Sequence, residues 1–351
     1  MAYGLTALAQ WFAHGFDSVI DVRSPAEYAE DHLPGAISLP VLSNEERARV
    51  GTIYKQQSPF AARKIGGAIV ARAVAAHLDG PLAGMGGGWR PLVYCWRGGQ
   101  RSGSFATILR AVGWRVETLE GGYRAWRRLV AEALYDAVWP VPAVVLDGLT
   151  GTAKTDLLSR LAARGVQVLD LEGLANHRGS LFGARAGGQP SQRAFEGRLA
   201  MAMVALDPAR PVVVEAESAA IGDVRIPPAL WAAMRAAPRV AVSAPLEARA
   251  AYLARAYGDL TLDPLALHAA IDRLRPMQPR ERIEAWHALA NAAEFAALAA
   301  ALMEHHYDPR YAKSRARHGD PVRTVVAADL SGPALDLLAD RVAAAIADVS
   351  R

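Results

Sequence analysis

Short apolar strand patterns alternate with helical patterns along this chain, and this alternation constrains the fold more than any other feature of the sequence. The strand patterns cover residues 18–22, 36–39, 92–95, 116–119, 144–147, 166–169, 211–215 and 239–243. Helical patterns separate many of them, for instance at residues 59–78, 102–112 and 154–163. Strands alternating with helices predict α/β domains built on parallel sheets.

The length of the chain, 351 residues, favours two domains over one. Pro140 and Pro142 interrupt the pattern after a helical segment, and a fresh strand pattern begins behind them. We therefore predict a first domain over residues 1–137 and a second over residues 138–351. The last hundred residues are mostly helical in pattern, apart from a strand at 322–327.

Composition says little about location and partners. No run of about 18 uncharged apolar residues occurs, and the N-terminus lacks the features of a secretory signal, so we expect a cytoplasmic protein without a membrane partner. The net charge is +4, and 35 of the 39 basic residues are arginines. Arginine binds phosphate bidentately, but genomic base composition also explains this excess. The composition is therefore compatible with nucleic-acid binding but does not establish it.

The single cysteine, Cys95, ends a strand pattern and precedes a glycine-containing loop that leads into a helix. Backbone N–H groups and a helix N-terminus there would stabilise a thiolate or persulfide, and Arg97 and Arg101 add positive charge. The C-x5-R spacing from Cys95 to Arg101 equally suits a cysteine-dependent phosphatase. A buried, unreactive cysteine is the remaining alternative.

A second strand, loop and helix pattern predicts a phosphate-binding loop of the Walker A type. Its residues are Gly148, Thr150, Gly151, Thr152, Ala153, Lys154 and Thr155. Lys154 would reach the phosphates, and Thr155 is placed to bind Mg²⁺ with them. Ala153 departs from the pattern, which has Gly there. The acids Glu215 and Glu217 end a strand where a Walker B carboxylate would lie.

Two stretches near the N-terminus carry a first family resemblance. Residues 21–28, DVRSPAEY, and residues 32–36, HLPGA, resemble the rhodanese pattern D-x-R-x-x-x-E-[FY] followed by H-[IL]-P-G-A. This resemblance favours sulfur chemistry at Cys95. It also implies structural roles for Asp21, Arg23 and His32.

A rhodanese-like domain followed by a P-loop domain resembles the tRNA 2-selenouridine synthase family over nearly the whole chain. The stretches that carry this resemblance are residues 95–103, 119–123, 170–180, 189–192 and 215–218. Ala153 and Ala216 depart from the family pattern. The resemblance implies a transferase that exchanges sulfur for selenium at the wobble 2-thiouridine of tRNA, through a geranylated intermediate. Geranyl diphosphate and selenophosphate would be the small substrates, with no tightly bound cofactor.

The resemblance also suggests roles for particular residues. Cys95 would carry selenium as a perselenide or otherwise take part in the exchange at C2 of the uracil, with Arg97 and Arg101 stabilising the anion. Candidates for substrate contact or metal binding are Asp170, Glu172, Asn176, His177, Arg178, Ser180, Glu215 and Glu217. Cations interleaved with aromatic rings give candidates for tRNA contact, namely Tyr307, Arg310, Tyr311, Lys313, Arg315 and Arg317.

Two other functions remain open at this stage. The first is a rhodanese-type sulfurtransferase or cysteine phosphatase fused to an unrelated nucleotide-binding domain, which would act without tRNA. The second is a noncatalytic tRNA-binding protein whose altered phosphate loop has lost its ligand. This alternative predicts RNA binding that does not depend on Cys95.

Overall fold

The computed structural model describes residues 1–315 and 321–350, with backbone alone for residues 313–315. The strands in chain order are β1 (Ala2–Tyr3), β2 (Ser18–Asp21), β3 (Ala36–Ser38), β4 (Pro91–Tyr94), β5 (Glu117–Leu119), β6 (Ala143–Gly148), β7 (Val168–Leu169), β8 (Val212–Glu215), β9 (Ala220–Ile221), β10 (Val224–Arg225), β11 (Arg239–Ser243) and β12 (Arg323–Val326).

The helices follow the predicted alternation in both halves of the chain. They are α1 (Pro25–Glu30), α2 (Asn44–Gln56), α3 (Pro59–Asp79), α4 (Gln100–Val112), α5 (Tyr123–Ala131), α6 (Lys154–Ala163), α7 (Leu171–Ala175), α8 (Gln192–Val204), α9 (Pro228–Ala236), α10 (Leu246–Ala256), α11 (Gly258–Thr261), α12 (Pro264–Asp272), α13 (Arg280–Asn291), α14 (Phe295–Leu302), α15 (Asp308–Arg315) and α16 (Gly332–Val349). Shorter 3₁₀ turns cover Leu8–Ala13 and Arg275–Met277, and π-helical turns cover Glu132–Asp136 and Met303–Tyr307.

The described residues form two compact units. The first contains Met1–Ala137 and Pro190–Ala205, and the second contains the rest. The first unit therefore includes a segment, residues 190–205, that the predicted division at residues 137 and 138 assigns to the second domain. Helix α8 explains this placement, because Phe195 and Leu199 are fully buried there and Glu196 accepts hydrogen bonds from Arg127 and Tyr135.

A parallel sheet in the order β1-β5-β4-β2-β3 forms the centre of the first unit. Strand β4 pairs with β2 so that Tyr94 lies opposite Asp21, and Cys95 follows directly at the carboxyl edge. Ser24 and Glu27 form the predicted capping box of α1, with Pro25 in the first turn. Ile20, Val93 and other apolar side chains of the sheet pack against α3 and α4 in the core.

The second unit has a parallel sheet in the order β12-β11-β6-β8-β7, with β9 and β10 as a separate antiparallel pair. Side chains of β6, α6 and α16 share one apolar core. A second core, which includes Ile283, Trp286 and Leu298, lies among helices α12 to α14. The predicted α/β fold with a helical C-terminal part is confirmed. Within residues 1–315 and 321–350, none of the helices combines the length and apolar character needed to span a membrane.

Candidate active sites

Cys95 lies at the end of β4, where the chain turns into the loop before α4. Its side chain is almost fully buried, and the Ser102 hydroxyl donates a 3.2 Å hydrogen bond to its sulfur. Burial disfavours ionisation of the thiol, but hydrogen bonds from Ser102, the charge of Arg101 and the backbone N–H of Arg97 outweigh it. The pKa of Cys95 therefore lies below its ordinary value, as a nucleophile or anion carrier requires.

The two arginines beside Cys95 lie in different surroundings. Arg101 forms an ion pair with Glu27 at 2.8 Å, so its guanidinium is held by a carboxylate while its charge still acts on the thiol. Arg97 is exposed and contributes its backbone N–H to the sulfur. The predicted roles of both side chains in stabilising a bound anion stay predictions.

A second glycine-containing loop, which includes Gly122, packs against the loop that follows Cys95. Gly122, at φ +58°, lies so close that an added Cβ would overlap the Cys95 carbonyl oxygen and the Gly98 nitrogen. The N–H groups of Tyr123 and Arg124 donate to the carbonyl oxygens of Cys95 and Trp96 at 2.9 and 3.1 Å. Glycine at 122 thus permits the close backbone packing that fixes the loop.

Asp21 and Arg23 hold the structure beside this loop. Arg23 is buried, forms a fork of hydrogen bonds to the Asp21 carboxylate, and donates to the carbonyl oxygen of Asp31. Tyr94 donates to Asp21 at 2.8 Å. His32 stacks on the Tyr28 ring, with the ring centroids 3.9 Å apart. These contacts agree with structural roles.

The predicted phosphate loop connects β6 to α6 in the second unit. Ala153, the departure from the motif, adopts the left-handed conformation at φ 60° and ψ 29° and is buried in the core that contains Leu157. Glycine adopts this conformation without strain, whereas an L-residue carries a cost. Ala153 thus holds the left-handed backbone conformation that glycine favours at this position of the loop.

The lysine of the loop and a neighbouring arginine both contact loop carbonyls. The Lys154 ammonium donates to the Gly148 carbonyl oxygen at 3.0 Å. Arg249 of α10 is buried and donates to the Thr150 carbonyl oxygen at 3.1 Å, while a fork of hydrogen bonds joins it to Asp308. The loop is therefore braced by residues from the helical part of the unit.

Three carboxylates cluster beside Thr155. Its hydroxyl donates to Glu172 at 2.9 Å, and Glu215 accepts a hydrogen bond from the Glu172 backbone N–H at 2.9 Å. Burial and the charge of Glu172 raise the pKa of Glu215 well above its usual range and that of Glu217 to about 8. Burial also raises the pKa of Glu172. These carboxyl groups therefore keep their protons to higher pH than exposed ones, and a bound cation would favour their ionised forms.

The oxygen atoms at this position fit Mg²⁺ by type, because Mg²⁺ prefers hydroxyl, carboxylate and phosphate oxygens. No group of three or more His, Cys, Asp or Glu side chains within the described residues is arranged as a metal site. Any Mg²⁺ would therefore be bound by the Thr155 hydroxyl and by oxygens of the phosphate ligand. The three carboxylates would lie near the ion without forming a ligand set of their own.

The loop 170–180 combines structural and cavity-facing residues. The Asp170 carboxylate caps α7 by accepting from the Gly173 N–H at 2.7 Å, and the Asn176 amide donates to the carbonyl oxygens of Ala186 and Gly188. His177 accepts from the Gly179 N–H at 3.1 Å. These contacts give Asp170, Asn176 and His177 local roles in shaping the loop, and substrate contact by them stays a prediction.

A cavity of about 1350 Å³ opens above the phosphate loop. Arg178, Ser180, Glu172 and Glu217 line it, and Arg178 is held by a fork of hydrogen bonds to Asp259 at 2.9 Å. Glu215 lies behind this wall, fully buried. The cavity brings together the phosphate loop and part of the loop 170–180, as expected for polar residues that follow the strands of a parallel sheet.

Three tRNA candidates, Tyr307, Arg310 and Tyr311, also line this cavity. The Tyr311 hydroxyl donates to the buried carboxylate of Asp147 at the end of β6, and Arg310 contacts the Met277 sulfur at 2.9 Å. The side chains of Lys313 and Arg315, and Arg317 as a whole, lie outside the described residues. Contact of this segment with RNA remains a prediction.

Sequence reasoning missed several basic residues of the cavity, because nothing in their local sequence separates them from other arginines. They are Arg160, Arg185, Arg239 and Arg255. Arg185 approaches Glu172 at 3.9 Å, and Arg239 approaches Asp147 at 3.4 Å. With Lys154, these side chains suit the cavity to an anion of several charges.

Comparison with known proteins matches two domain models to this chain. The model of the rhodanese-like domain matches residues 5–129, and the model described as the tRNA 2-selenouridine synthase AAA domain matches residues 141–273. The fold and the sites thus define a rhodanese-like domain joined to a P-loop domain.

Similar proteins identify the family. The tRNA 2-selenouridine synthase of Hahella chejuensis is 34% identical over 330 residues, which cover 84% of each chain. That of Bordetella bronchiseptica is 40% identical over 72% of this chain and 69% of its own. That of Pseudomonas syringae pv. tomato is 39% identical, and the match spans 63% of this chain and 60% of the relative. The chain belongs to the tRNA 2-selenouridine synthase family.

Proposed function

We propose that this protein is a cytoplasmic transferase that replaces the sulfur of wobble 2-thiouridine in tRNA with selenium. One observation carries the proposal beyond family membership. A thiol with a lowered pKa and a phosphate loop facing a basic cavity occur in the same chain, as a reaction needs when it joins chalcogen exchange to phosphate-bearing substrates.

In the first step, the sulfur of 2-thiouridine attacks C1 of geranyl diphosphate. The C1–O bond breaks, the S–C1 bond forms, diphosphate leaves and the uracil loses its N3 proton. Residues 148–155 would hold the diphosphate through their backbone N–H groups, and Lys154 would neutralise the charge that develops on it. Mg²⁺ bound to Thr155 would add to this neutralisation.

In the second step, the selenium of selenophosphate attacks C2 of the geranylated base. The C2–S bond breaks, and geranylthiolate leaves and takes up a proton. Water then cleaves the Se–P bond, which yields selenouridine and phosphate. We assign Cys95 to this exchange, because the hydrogen bonds and the charge that lower the pKa of its thiol would also stabilise anionic sulfur or selenium beside C2.

The test is mass spectrometry of wobble nucleosides from 2-thiouridine tRNA incubated with the protein, geranyl diphosphate and selenophosphate. We expect wild type to form selenouridine, Lys154→Ala to accumulate neither product, and Cys95→Ala to accumulate geranylated base. Lys64→Ala, at an exposed lysine of α3, is the matched control and should behave as wild type. Absence of both products with wild type, while tRNA still binds, would contradict the proposal.

A further inference from the structure

A small apolar pocket of about 70 Å³ lies among the helices next to the phosphate loop. Helices α10, α11, α12 and α14 form most of its wall, and Leu253, Leu267, Leu298 and Ala299 contribute side chains to it. The neighbouring cavity, in contrast, is lined by many charged residues. The unit thus offers an apolar compartment beside a phosphate-binding one.

The two compartments share part of their walls. Thr150, Ser180, Leu253, Tyr257 and Tyr307 line both the cavity and the apolar pocket. Thr150 belongs to the phosphate loop itself, so a ligand whose phosphates occupy the loop needs little length to enter the pocket.

Close packing fixes the loop against the pocket wall. An added Cβ at Gly151, which has φ +84°, would lie 3.1 Å from the Leu253 Cδ1 atom and 3.0 Å from the Arg249 carbonyl oxygen. The loop backbone therefore lies directly on α10, and Leu253 of that helix lines both compartments. This arrangement suits one ligand with an anionic head and an apolar tail, because each part finds matched surroundings.

We propose that this pocket binds the end of the hydrocarbon chain of a prenyl diphosphate whose diphosphate lies in the loop 148–155. The proposal rests on the proposed function, which requires geranyl diphosphate, and it adds the site that recognises the chain. Burial of methyl and methylene groups there favours geranyl diphosphate over inorganic diphosphate and over prenyl diphosphates with a shorter chain.

Isothermal titration calorimetry of the full chain tests this directly. Wild type should bind geranyl diphosphate about tenfold or more tightly than inorganic diphosphate, with dimethylallyl diphosphate in between. Ala299→Phe should fill the pocket, remove most of that preference and leave the affinity for inorganic diphosphate unchanged. Ala297→Phe, at an exposed position of the same helix, is the matched control and should keep the preference.

Any of three results would overturn the proposal. The first is equal binding of geranyl and inorganic diphosphate by wild type, and the second is a geranyl preference that survives Ala299→Phe. Equal loss of both affinities in Ala299→Phe would also count against it, because the pocket would then have no separate role for the chain. Failure of the proposed function is distinguishable, since it appears as the absence of modified nucleoside with wild type, whatever the binding preference.

Discussion

The guanidinium of Arg249 donates a 3.1 Å hydrogen bond to the carbonyl oxygen of Thr150 and so anchors the phosphate loop to α10. The same group binds the Asp308 carboxylate at 2.8 and 3.0 Å. A single buried side chain thus connects the loop that would bind phosphate with the start of α15.

We expect Arg249→Met to destabilise the second unit by about 3 kcal/mol, because it leaves the Asp308 carboxylate without its ion pair and frees the Thr150 carbonyl. Binding of inorganic diphosphate should weaken as well, since the loop loses its anchor. Urea denaturation and calorimetry measure the two effects. Arg235→Met, at an exposed position of α9, is the control, and wild-type stability of Arg249→Met would refute the anchoring role.

Gly179 allows the close approach of the carboxylate cluster. A Cβ there would lie 2.6 Å from a Glu217 carboxylate oxygen and 3.0 Å from one of Glu172, and the residue has φ +67°. Gly179→Ala should therefore cost about 1–2 kcal/mol from backbone strain and more from the displaced carboxylates.

Gly188→Ala measures the backbone strain alone and so separates it from the cost of displacing the carboxylates. Gly188 has φ +70°, but a Cβ there meets nothing within 4 Å. The alanine at 188 should carry the strain alone, so thermal denaturation should show a larger loss for Gly179→Ala. Equal losses in the two variants would mean that contact with the carboxylates is unimportant.

The carboxylate of Glu217 should make stability depend on pH. Its pKa is raised to about 8 by burial and by the charge of Glu172, so the folded state holds a proton that the unfolded chain releases near its ordinary pKa. Wild-type stability should therefore fall as pH rises from about 4.5 to 8, because ionisation of the folded state is unfavourable.

Glu217→Gln removes this effect. Relative to wild type, the variant should gain roughly 1–2 kcal/mol at pH 8.5 and nothing near pH 4, allowing for the solvent that reaches the side chain. Denaturation across this pH range provides the measurement. A difference between the two proteins that is the same at every pH would argue against the raised pKa.

The Ser102 hydroxyl lowers the pKa of Cys95 by donating to its sulfur. We expect Ser102→Ala to raise that pKa and to move the pH profile of alkylation by iodoacetamide to higher pH. Ser104→Ala changes an exposed serine of the same helix and should leave the profile in place. An unchanged profile in Ser102→Ala would mean that the other neighbours of the sulfur, and not Ser102, stabilise the thiolate.

The left-handed backbone of Ala153 predicts an asymmetric response to substitution. Ala153→Gly removes strain but also a buried methyl group, so these effects should nearly cancel and leave stability within about 1 kcal/mol of wild type. Ala153→Val should be destabilised by more than about 1 kcal/mol, because β-branched residues rarely adopt positive φ. Denaturation of both variants tests this, and wild-type stability of Ala153→Val would contradict the assigned conformation.

Local signals predicted most of the fold. The Ser24, Pro25 and Glu27 pattern starts α1 as expected, and the long helix predicted at 59–78 is observed at Pro59–Asp79. The sequence also predicts the two loops that follow strands, because their glycines and polar residues are close together in the chain. One of these loops contains Cys95, and the other contains residues 148–155.

Contacts between distant residues could not be predicted in this way. Glu196 joins the first unit through Arg127, 69 positions away, and Thr150 is held by Arg249, 99 positions away. The sequence could not show which residues of the loop 170–180 cap a helix and which line the cavity. Asp170 caps α7 and Arg178 lines the cavity, and both roles depend on neighbours that the local sequence does not reveal.

The chain enters the first unit twice, because residues 190–205 lie there together with Met1–Ala137. A gene fragment that stops at residue 137 would encode Arg127 and Tyr135 without the Glu196 carboxylate that both of them bind. A fragment that starts at residue 138 would carry the apolar side chains of Phe195 and Leu199 without the surface that buries them. The parts of the gene before and after residue 137 therefore cannot be exchanged independently. Recombination between related genes at this boundary would preserve folding only where the residues on both sides still make these contacts.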